Sequence, residues 1–551
     1  MQLKKLLALL LALVMVVSLV ACGGDSGEAT TEATTETTEY EPLVEFPLER
    51  GKSYTIVMAH DEDWDEDFAA NVLWRDLRSK TNVTINIKRI EKTNYMEELN
   101  EMLLAGESWD AIFTGFLTDD EYAVLATQDY FLDISGMITN EEICPNFIER
   151  SLAGREDTVL KSLTAPDGGI YGINGGDMNP AESVSPILVN KNWVEKAGKK
   201  VEDIKTIEDL EFLLDYWAKN DMNGNGKKGD EIPYLLYDED ANCNMETFLG
   251  LYGISTTAGE EDNYVVIENG TVKFAPTTDA WKDAVSKLNE WYKKGYIWDD
   301  AFAGEKAQSA FNSVLSSSTP MVGMMTSNYC GNDALLDQYV AIAPVKVSGY
   351  TAAWYVDPQM TNTKAAFGIS KKCQDPEILL AWFDRMLSLD NSVRYFYGEQ
   401  LEEWDFTEDG HYEFLQLTEG EKTKLNEKTP SLKTITEAGL SLPYCFTAKD
   451  YEKKIALSDA DKIAMDAYDL YESSFAKESW PRPYYSLQQR DDINKVRADV
   501  MKLVATKKAQ WVTGAADIDA QFDQFAQDLQ TMGVDKMLTA MQAAYDVYLG
   551  K

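Results

Sequence analysis

Cysteine and histidine are scarce in these 551 residues: six cysteines, two histidines. His60 and His411 lack metal-ligand spacing, and the cysteines carry no close spacing of the kind that holds zinc. With Cys22 accounted for below, Cys144, Cys243, Cys330, Cys373 and Cys445 form an odd set that implies no disulfide framework. They read as buried thiols acting as small apolar residues, one distant bridge being the alternative. Positive charge is short as well, with 51 Lys and Arg against 93 Asp and Glu. A phosphate backbone needs basic stripes, so nucleic acid is excluded as a partner. No G-x-S-x-G nucleophile elbow and no repeat of fixed period is present.

Long apolar runs are also missing, except at the start. Lys4 and Lys5 precede an uncharged apolar stretch from Leu6 to Val17, and Leu19-Val20-Ala21-Cys22 follows. This is a lipobox: residues 1–21 are a lipoprotein signal peptide, and Cys22 becomes the acylated amino terminus. The alternative, a transmembrane helix, needs about 20 apolar residues, more than the stretch supplies. Acyl chains contribute about 0.8 kcal/mol per buried CH₂, which anchors a domain at the outer membrane face without a span. Losing Lys4 and Lys5 moves the formal charge from -42 to -44. Gly23 to Glu41 is Thr- and Glu-rich with no Lys or Arg, so residues 22–50 read as anchor and disordered acidic tether.

The folded part is expected near Lys52. Tyr54 to Met58 is a β-branched run suited to a buried strand, and Phe68, Val72, Leu73 and Leu77 keep helical spacing. Val83 to Ile87 alternates as a strand, a helix spans Tyr95 to Leu104, and Ala111-Ile112-Phe113 follows. Strands alternating with helices predict an α/β protein with a mainly parallel sheet and a ligand crevice beyond the strands' carboxyl ends. Thr278 can cap a helix whose inward face holds Trp281, Ala284, Val285, Leu288, Trp291 and Tyr292, with Gly295 ending it. Asp375-Pro376 opens another, and residues 515–549 read as a closing helical region.

The stretch from Asp221 to Glu231 has side-chain oxygens at its first, third and fifth places and glycine at the sixth. That spacing lets a tight loop wrap a hard cation, calcium being the natural candidate. Ile232 stands where an EF-hand has its closing glutamate. Asp221, Asn223, Asn225, the carbonyl of Lys227, Asp230 and Glu231 are therefore the candidate ligands, with either acid open to either closing place. A connector made of two Asn-Gly turns is the structural alternative.

Together these passages resemble the family 1 extracellular solute-binding lipoproteins of ABC importers, in the branch of alginate-oligosaccharide-binding proteins and large Firmicutes sugar-binding lipoproteins. Asp167-Gly168-Gly169-Ile170-Tyr171-Gly172-Ile173 resembles the family's "DGK-YGIP" segment, with Asn174 replacing the usual proline. Ile187 to Gly198 resembles its "Y-RKDWLDKLG" strand and helix, and Asp221 to Pro233 its "D-NGNGKKDEIP" calcium loop with Gly229 inserted. The resemblance implies a periplasmic-binding-protein-like fold of type II: two α/β lobes of mixed, mainly parallel sheets, joined by a hinge. Lobe 1 would be 51–164 with 362–440, and lobe 2 would be 165–361 with 441–551. It further implies a monomer at the extracellular face that captures an oligosaccharide and hands it to ABC permease subunits, and that is not an enzyme.

A sugar site needs aromatic plates and hydrogen-bonding groups. Trp64, in a loop after the first strand, and Trp354 and Tyr355, near a crossover between lobes, are candidates. Tyr171, Asp177, Tyr329 and Tyr444 are others, ordinary packing being the alternative for each; Trp109, Trp193, Trp217, Trp281 and Trp291 are assigned to structure. A glycoside hydrolase, a surface adhesin and a binding protein for peptide are competing readings. With 93 acids no catalytic carboxylate pair can be singled out.

Overall fold

A computed structural model describes residues 43–60, 71–114, 117, 119–173, 175–178, 184–240, 243–256, 264–327, 331–356, 366–398, 400, 404–415, 443–456 and 459–551. Trp64, Tyr329, Cys330 and Cys22, the expected anchor, lie outside these residues. Among the described residues no helix is long and apolar enough to cross a membrane.

The chain enters on β1 (Lys52–His60), which lies in the middle of its sheet, so Ile56, Val57, Met58 and Ala59 are fully buried whichever face they point to. A helix at Val72–Thr81 follows, its start capped by Asn71, whose side chain accepts from Trp74 N, and its end marked by Asn82 at a left-handed φ of 56°. β2 (Val83–Glu91) and β3 (Ala111–Phe113) run parallel to β1 on either side. After further helical turns, β4 (Gly176–Met178) carries the chain toward a second sheet.

That sheet contains β5 (Ile187–Asn190) and β6 (Ile232–Leu235), separated by a helix at Ile207–Lys219 with a Thr206/Asp209 capping box. A hairpin, β7 (Val265–Glu268) and β8 (Thr271–Phe274), precedes the helix Asp279–Lys293, which Thr278 caps as expected. Trp281, Ala284, Val285, Leu288 and Trp291 form its buried face. β9 (Val322–Thr326) and β10 (Tyr339–Ile342) complete the sheet in the order β10-β5-β9-β6. The chain then returns: β11 (Phe367–Ile369) adds antiparallel to β3, giving the first sheet the order β11-β3-β1-β2. A hairpin, β12 (Trp404–Phe406) and β13 (Tyr412–Phe414), and the short β14 (Cys445–Thr447) follow.

The fold is α/β with two mixed sheets. Mainly parallel pairing describes the first sheet but not the second, where β5 runs antiparallel to both β9 and β10 and only β6–β9 is parallel. The closing region is three helices, Leu487–Val512, Ile518–Met532 and Val534–Tyr548, the last two divided by Gly533 at a φ of 105°. Trp193, Trp217, Trp281 and Trp291 are all buried in the core around the second sheet, as assigned.

Cores of apolar side chains form separately around each sheet. One cluster joins Tyr54, Ile56 and Phe113 to Phe367, Trp382 and Phe383, with the Phe367 and Phe383 rings stacked at 3.6 Å. Ile170, Ile173 and Cys445, expected in the second lobe, belong to this first group. Phe446, Tyr451 and Ile455 pack with Val393, Trp404 and Tyr412 beside it. The reason is tertiary: Arg150 holds Asp450 at 2.7 Å and also donates to the Cys445 carbonyl, so β14 and the turn after it are fastened to the helical turn at Phe147–Leu152. Only from Asp459 does the chain pack against the second sheet again, Ala467 lying in the cluster with Leu188 and Tyr339.

Asp384 caps the same turn from below. Its buried carboxylate accepts from Asn146 N at 3.0 Å, Asn146 Nδ2 at 2.8 Å and Phe147 N at 2.7 Å. Burial outweighs these donors and pushes its carboxyl up to about 6. The folded state therefore holds this proton more tightly than the unfolded chain. The resulting stability is full below the ordinary carboxylate range and is lost as pH rises through about 6. The melting-temperature advantage of wild type over Asp384→Asn should accordingly shrink between pH 4 and pH 7; a pH-independent gap contradicts this assignment.

Cys144, Cys243 and Cys445 are buried thiols and Cys373 is half-buried, so no disulfide links the described cysteines.

Candidate functional site

Beside the first sheet's core, three distant parts of the chain come together. β4 pairs parallel with β14, setting Gly176 opposite Cys445, Asp177 opposite Phe446 and Met178 opposite Thr447. Gly176 N donates to Tyr444 O at 2.8 Å, and a Cβ on Gly175 would lie 3.0 Å from Tyr444 N, a tight contact that favours glycine at this approach. A third segment joins through Ala366, whose N–H donates to Ile173 O and whose carbonyl accepts from Thr114 N, both at 3.0 Å. Three distant stretches thus meet at short strands and single hydrogen bonds, on buried residues beside the first sheet.

Two expected ligand residues, Asp177 and Tyr444, fall here, whereas Tyr171 and Tyr355 lie elsewhere. Tyr444 is half-buried against the rings of Tyr395 at 5.4 Å and Phe446 at 5.9 Å. Asp177 is on β4 at the crossing itself. Tyr171 is buried in the cluster under the first sheet and donates its hydroxyl to Asp167 Oδ2 at 2.7 Å. Burial, helped by Asp167, pushes that hydroxyl upward. Tyr355 is half-buried and donates to the Trp480 carbonyl at 3.3 Å.

Trp354 is a core residue, not an open plate. It is 4 % exposed, its indole donates to Ser185 O at 3.2 Å, and it meets the Tyr471 ring edge-to-face at 4.7 Å. One face lies directly on Gly250, where a Cβ would fall 2.6 Å from the ring. Its backbone is also bound on both sides, Trp354 N to Ser474 O and Ala476 N to Trp354 O. No ring face is left for a sugar. Trp109, assigned to structure, is buried edge-on to Phe131.

The second candidate site is the loop before β6. Asp221 accepts from Gly224 N at 2.7 Å and Gly226 N at 2.8 Å, Asn223 from Asn225 N at 3.0 Å, and Asn225 from Lys227 N at 2.8 Å. These three oxygen-bearing side chains therefore turn into the loop. Gly224 and Gly226, at φ of 78° and 83°, permit the coil. Glu231 is buried and folds back over the start of the loop, accepting from Met222 N at 2.7 Å and Gly229 N at 3.1 Å. Asp230 accepts from Asn225 Nδ2 at 2.6 Å through one oxygen, while its Oδ1 is buried without a hydrogen-bond partner.

Among the described residues no three His, Cys, Asp or Glu side chains close on one point as a metal site. The loop's donors are instead carboxylate, amide and backbone oxygens, the hard set that suits calcium. The partnerless Asp230 Oδ1 is the atom such a cation would satisfy. The loop and the crossing strands are separate features. A surface groove of about 550 Å³, lined by Pro47, Leu48, Arg75, Arg78, Ser79 and Asn82, is a third. It lies at the amino ends of β1 and β2, opposite the end where an α/β crevice forms.

Known proteins match the chain over about nine-tenths of its length. Over 534 residues the chain is 23 % identical to the fructooligosaccharide ABC transporter substrate-binding protein FusA of Streptococcus pneumoniae serotype 4, covering 92 % of each chain. The chain has the fold of an ABC-transporter solute-binding protein. The structure of a human-milk-oligosaccharide-binding ABC-transporter-associated solute-binding protein from Bifidobacterium longum infantis superposes with a TM-score of 0.71 at 20 % identity, covering 90 % of this chain and 99 % of that one. An EF-hand mutant of S. pneumoniae FusA in complex with fructo-nystose superposes at 0.65 and 21 % identity, with the same coverage. No family model matches the chain.

Two features had no signal in the sequence reading. Arg482, between Pro481 and Pro483, has a left-handed φ of 47°. Lys508, on the helix Leu487–Val512, is buried with Asp238 at 2.7 Å, Glu246 at 2.8 Å and the Tyr264 hydroxyl at 3.1 Å, and Tyr264 in turn donates to Glu246. Burial opposes the charge of Lys508, but Glu246, Tyr264 and Asp238 outweigh it and hold the lysine protonated. Asp238 is pushed up to about 6, mainly by burial. A lysine in a polar run of a long helix looks solvated until its partners are known.

Proposed function

We propose that the chain is a lipid-anchored, extracellular solute-binding protein that captures an oligosaccharide between two α/β lobes and delivers it to the permease subunits of an ABC importer. The observation that carries this reading is the match to FusA over 92 % of each chain, in a chain whose two mixed sheets each carry a core of their own. Closure around a solute is driven by contacts that exist only in the closed state, so the ligand is held by both lobes at once. On this reading Tyr171, Asp177, Tyr355 and Tyr444 contact the sugar, as do Trp64 and Tyr329, which lie outside the described residues. Cys22 is the membrane anchor, and the function is capture without turnover.

The carbohydrate class is taken from relatives named for fructooligosaccharide and human milk oligosaccharides. A panel of such sugars tests it: the cognate sugar should raise the melting temperature and be recovered intact. Cleavage of the sugar would support a hydrolase instead.

Calcium is proposed to be held by Asp221, Asn223, Asn225, the Lys227 carbonyl, Asp230 and Glu231. The partnerless Asp230 oxygen supports this, as does the EF-hand mutation named in the FusA structure. The cation would join the helix Ile207–Lys219 to β6 and stabilise the second lobe. A ligand at a hundredfold excess over its dissociation constant contributes about 2.7 kcal/mol. A chelator should therefore lower the melting temperature by several degrees and added calcium restore it, while magnesium, which prefers a rigid octahedral shell, does so poorly. An unchanged melting curve removes the metal.

A further inference from the structure

Arginine is rare in this chain and unevenly placed. Of its eleven arginines, four gather where the described residues begin. Arg75 and Arg78 line a groove with Pro47 and Leu48, Arg385 lies over the Phe46 ring at 4.7 Å, and Arg50 follows Leu48 by two residues. None of the four makes an ion pair among the described residues, and the exposed Glu45 and Glu49 of the same segment pair with none of them. In a chain of 93 acids and 51 bases, this is a place where the local charge opposes the overall one.

The groove is built on fixed backbone. Leu48 N donates to Thr81 O at 3.0 Å and Asn82 Nδ2 to Leu48 O at 2.8 Å, so the entering chain is fastened to the end of the helix Val72–Thr81. Arg75 and Arg78, three residues apart, share a face of that helix, with Ser79 beside them in the groove. Arg78 also complements the helix's carboxyl end, but Arg75, a turn earlier, has no such role. Two forked guanidiniums and a hydroxyl suit the several oxygens of a phosphate.

We propose that this groove takes the phosphate of an anionic lipid headgroup and docks the amino-strand end of the body on its own membrane. The inference rests on the anchoring at Cys22 in the reading above. A chain anchored there enters the body beside Pro47 and Leu48, so attachment raises the effective concentration of headgroups at this groove. The same lipids repel the acidic remainder of the surface, which turns the arginines inward. The carboxyl ends of the first sheet's parallel strands then face outward, toward arriving solute.

The acylated protein and its Arg75→Gln/Arg78→Gln variant are placed in phosphatidylcholine vesicles with or without about one-third phosphatidylglycerol, and amide hydrogen exchange is followed over 43–52 and 72–82. Phosphatidylglycerol should slow exchange there about threefold or more in wild type, and high ionic strength should remove the effect. The double variant, altered only at exposed side chains, should melt like wild type and show no slowing. Arg75→Lys with Arg78→Lys should keep part of it. Exchange in anchored wild type that ignores phosphatidylglycerol overturns the inference and leaves anchoring and capture standing. Equal slowing in the glutamine variant overturns it too, as does equal slowing by inorganic phosphate in phosphatidylcholine alone, which would assign the groove to a soluble anion. A protein that floats with no vesicle overturns the anchor, and the inference with it.

Discussion

Replacing Lys508 by methionine lowers the unfolding free energy by about 3–5 kcal/mol, because it strands Asp238 and Glu246 as buried carboxylates without their shared cation. The ammonium is the meeting point of four parts of the second half of the chain. They are the turn after β6, the helix Met245–Leu249, Tyr264 before β7, and the long helix Leu487–Val512. Removing one member of such a network costs more than removing it whole, since the orphaned charges keep their desolvation cost and lose their attraction. The triple variant Asp238→Asn, Glu246→Gln, Lys508→Met should therefore be more stable than Lys508→Met alone. Denaturant unfolding of the single and triple variants measures both numbers. A single variant within about 1 kcal/mol of wild type would mean that the lysine escapes to solvent and the cluster is not a brace.

Trp354→Ala carries the second large effect. A buried tryptophan replaced by alanine costs about 3–5 kcal/mol, from lost transfer and from the cavity left between Gly250 and Tyr471. Trp354→Phe should cost less, because it keeps most of the ring volume and loses mainly the bond to Ser185 O. A ligand plate would behave oppositely, with stability unchanged and sugar affinity reduced. Measuring stability without sugar separates the two roles. Wild-type stability in Trp354→Ala would return this residue to the cleft.

What was legible in the sequence is what short-range physics decides. The run from Tyr54 to Met58 reads as a buried strand because apolar β-branched residues fill both faces, and β1 lies where both faces are covered. Thr278 and its inward face Trp281, Ala284, Val285, Leu288 and Trp291 read as a capped helix because caps and periodicity act within a few residues. The Asp221 loop is local too, and its Asx side chains turn inward as their spacing implies.

Contacts between distant residues were not legible. Trp354 sits in a loop without periodicity, and its burial is decided by Gly250, Ser185 and Tyr471. The packing of Cys445 to Ile455 with the first sheet depends on Arg150, which nothing near residue 445 announces. The mostly antiparallel pairing of the second sheet has the same origin. Strand direction follows from the route taken between strands, whereas composition reports only that strands and helices alternate. Arg482 departs from its own local preference, which is why only the folded chain reveals it.

Equilibrium titration of the purified full-length protein with a fructooligosaccharide and human-milk-oligosaccharide series, followed by chemical analysis of the recovered sugar, tests capture most directly. The account predicts saturable one-to-one binding of one member of the series and its return unaltered. Absence of saturable binding across the series, or recovery of shortened sugar, would contradict it.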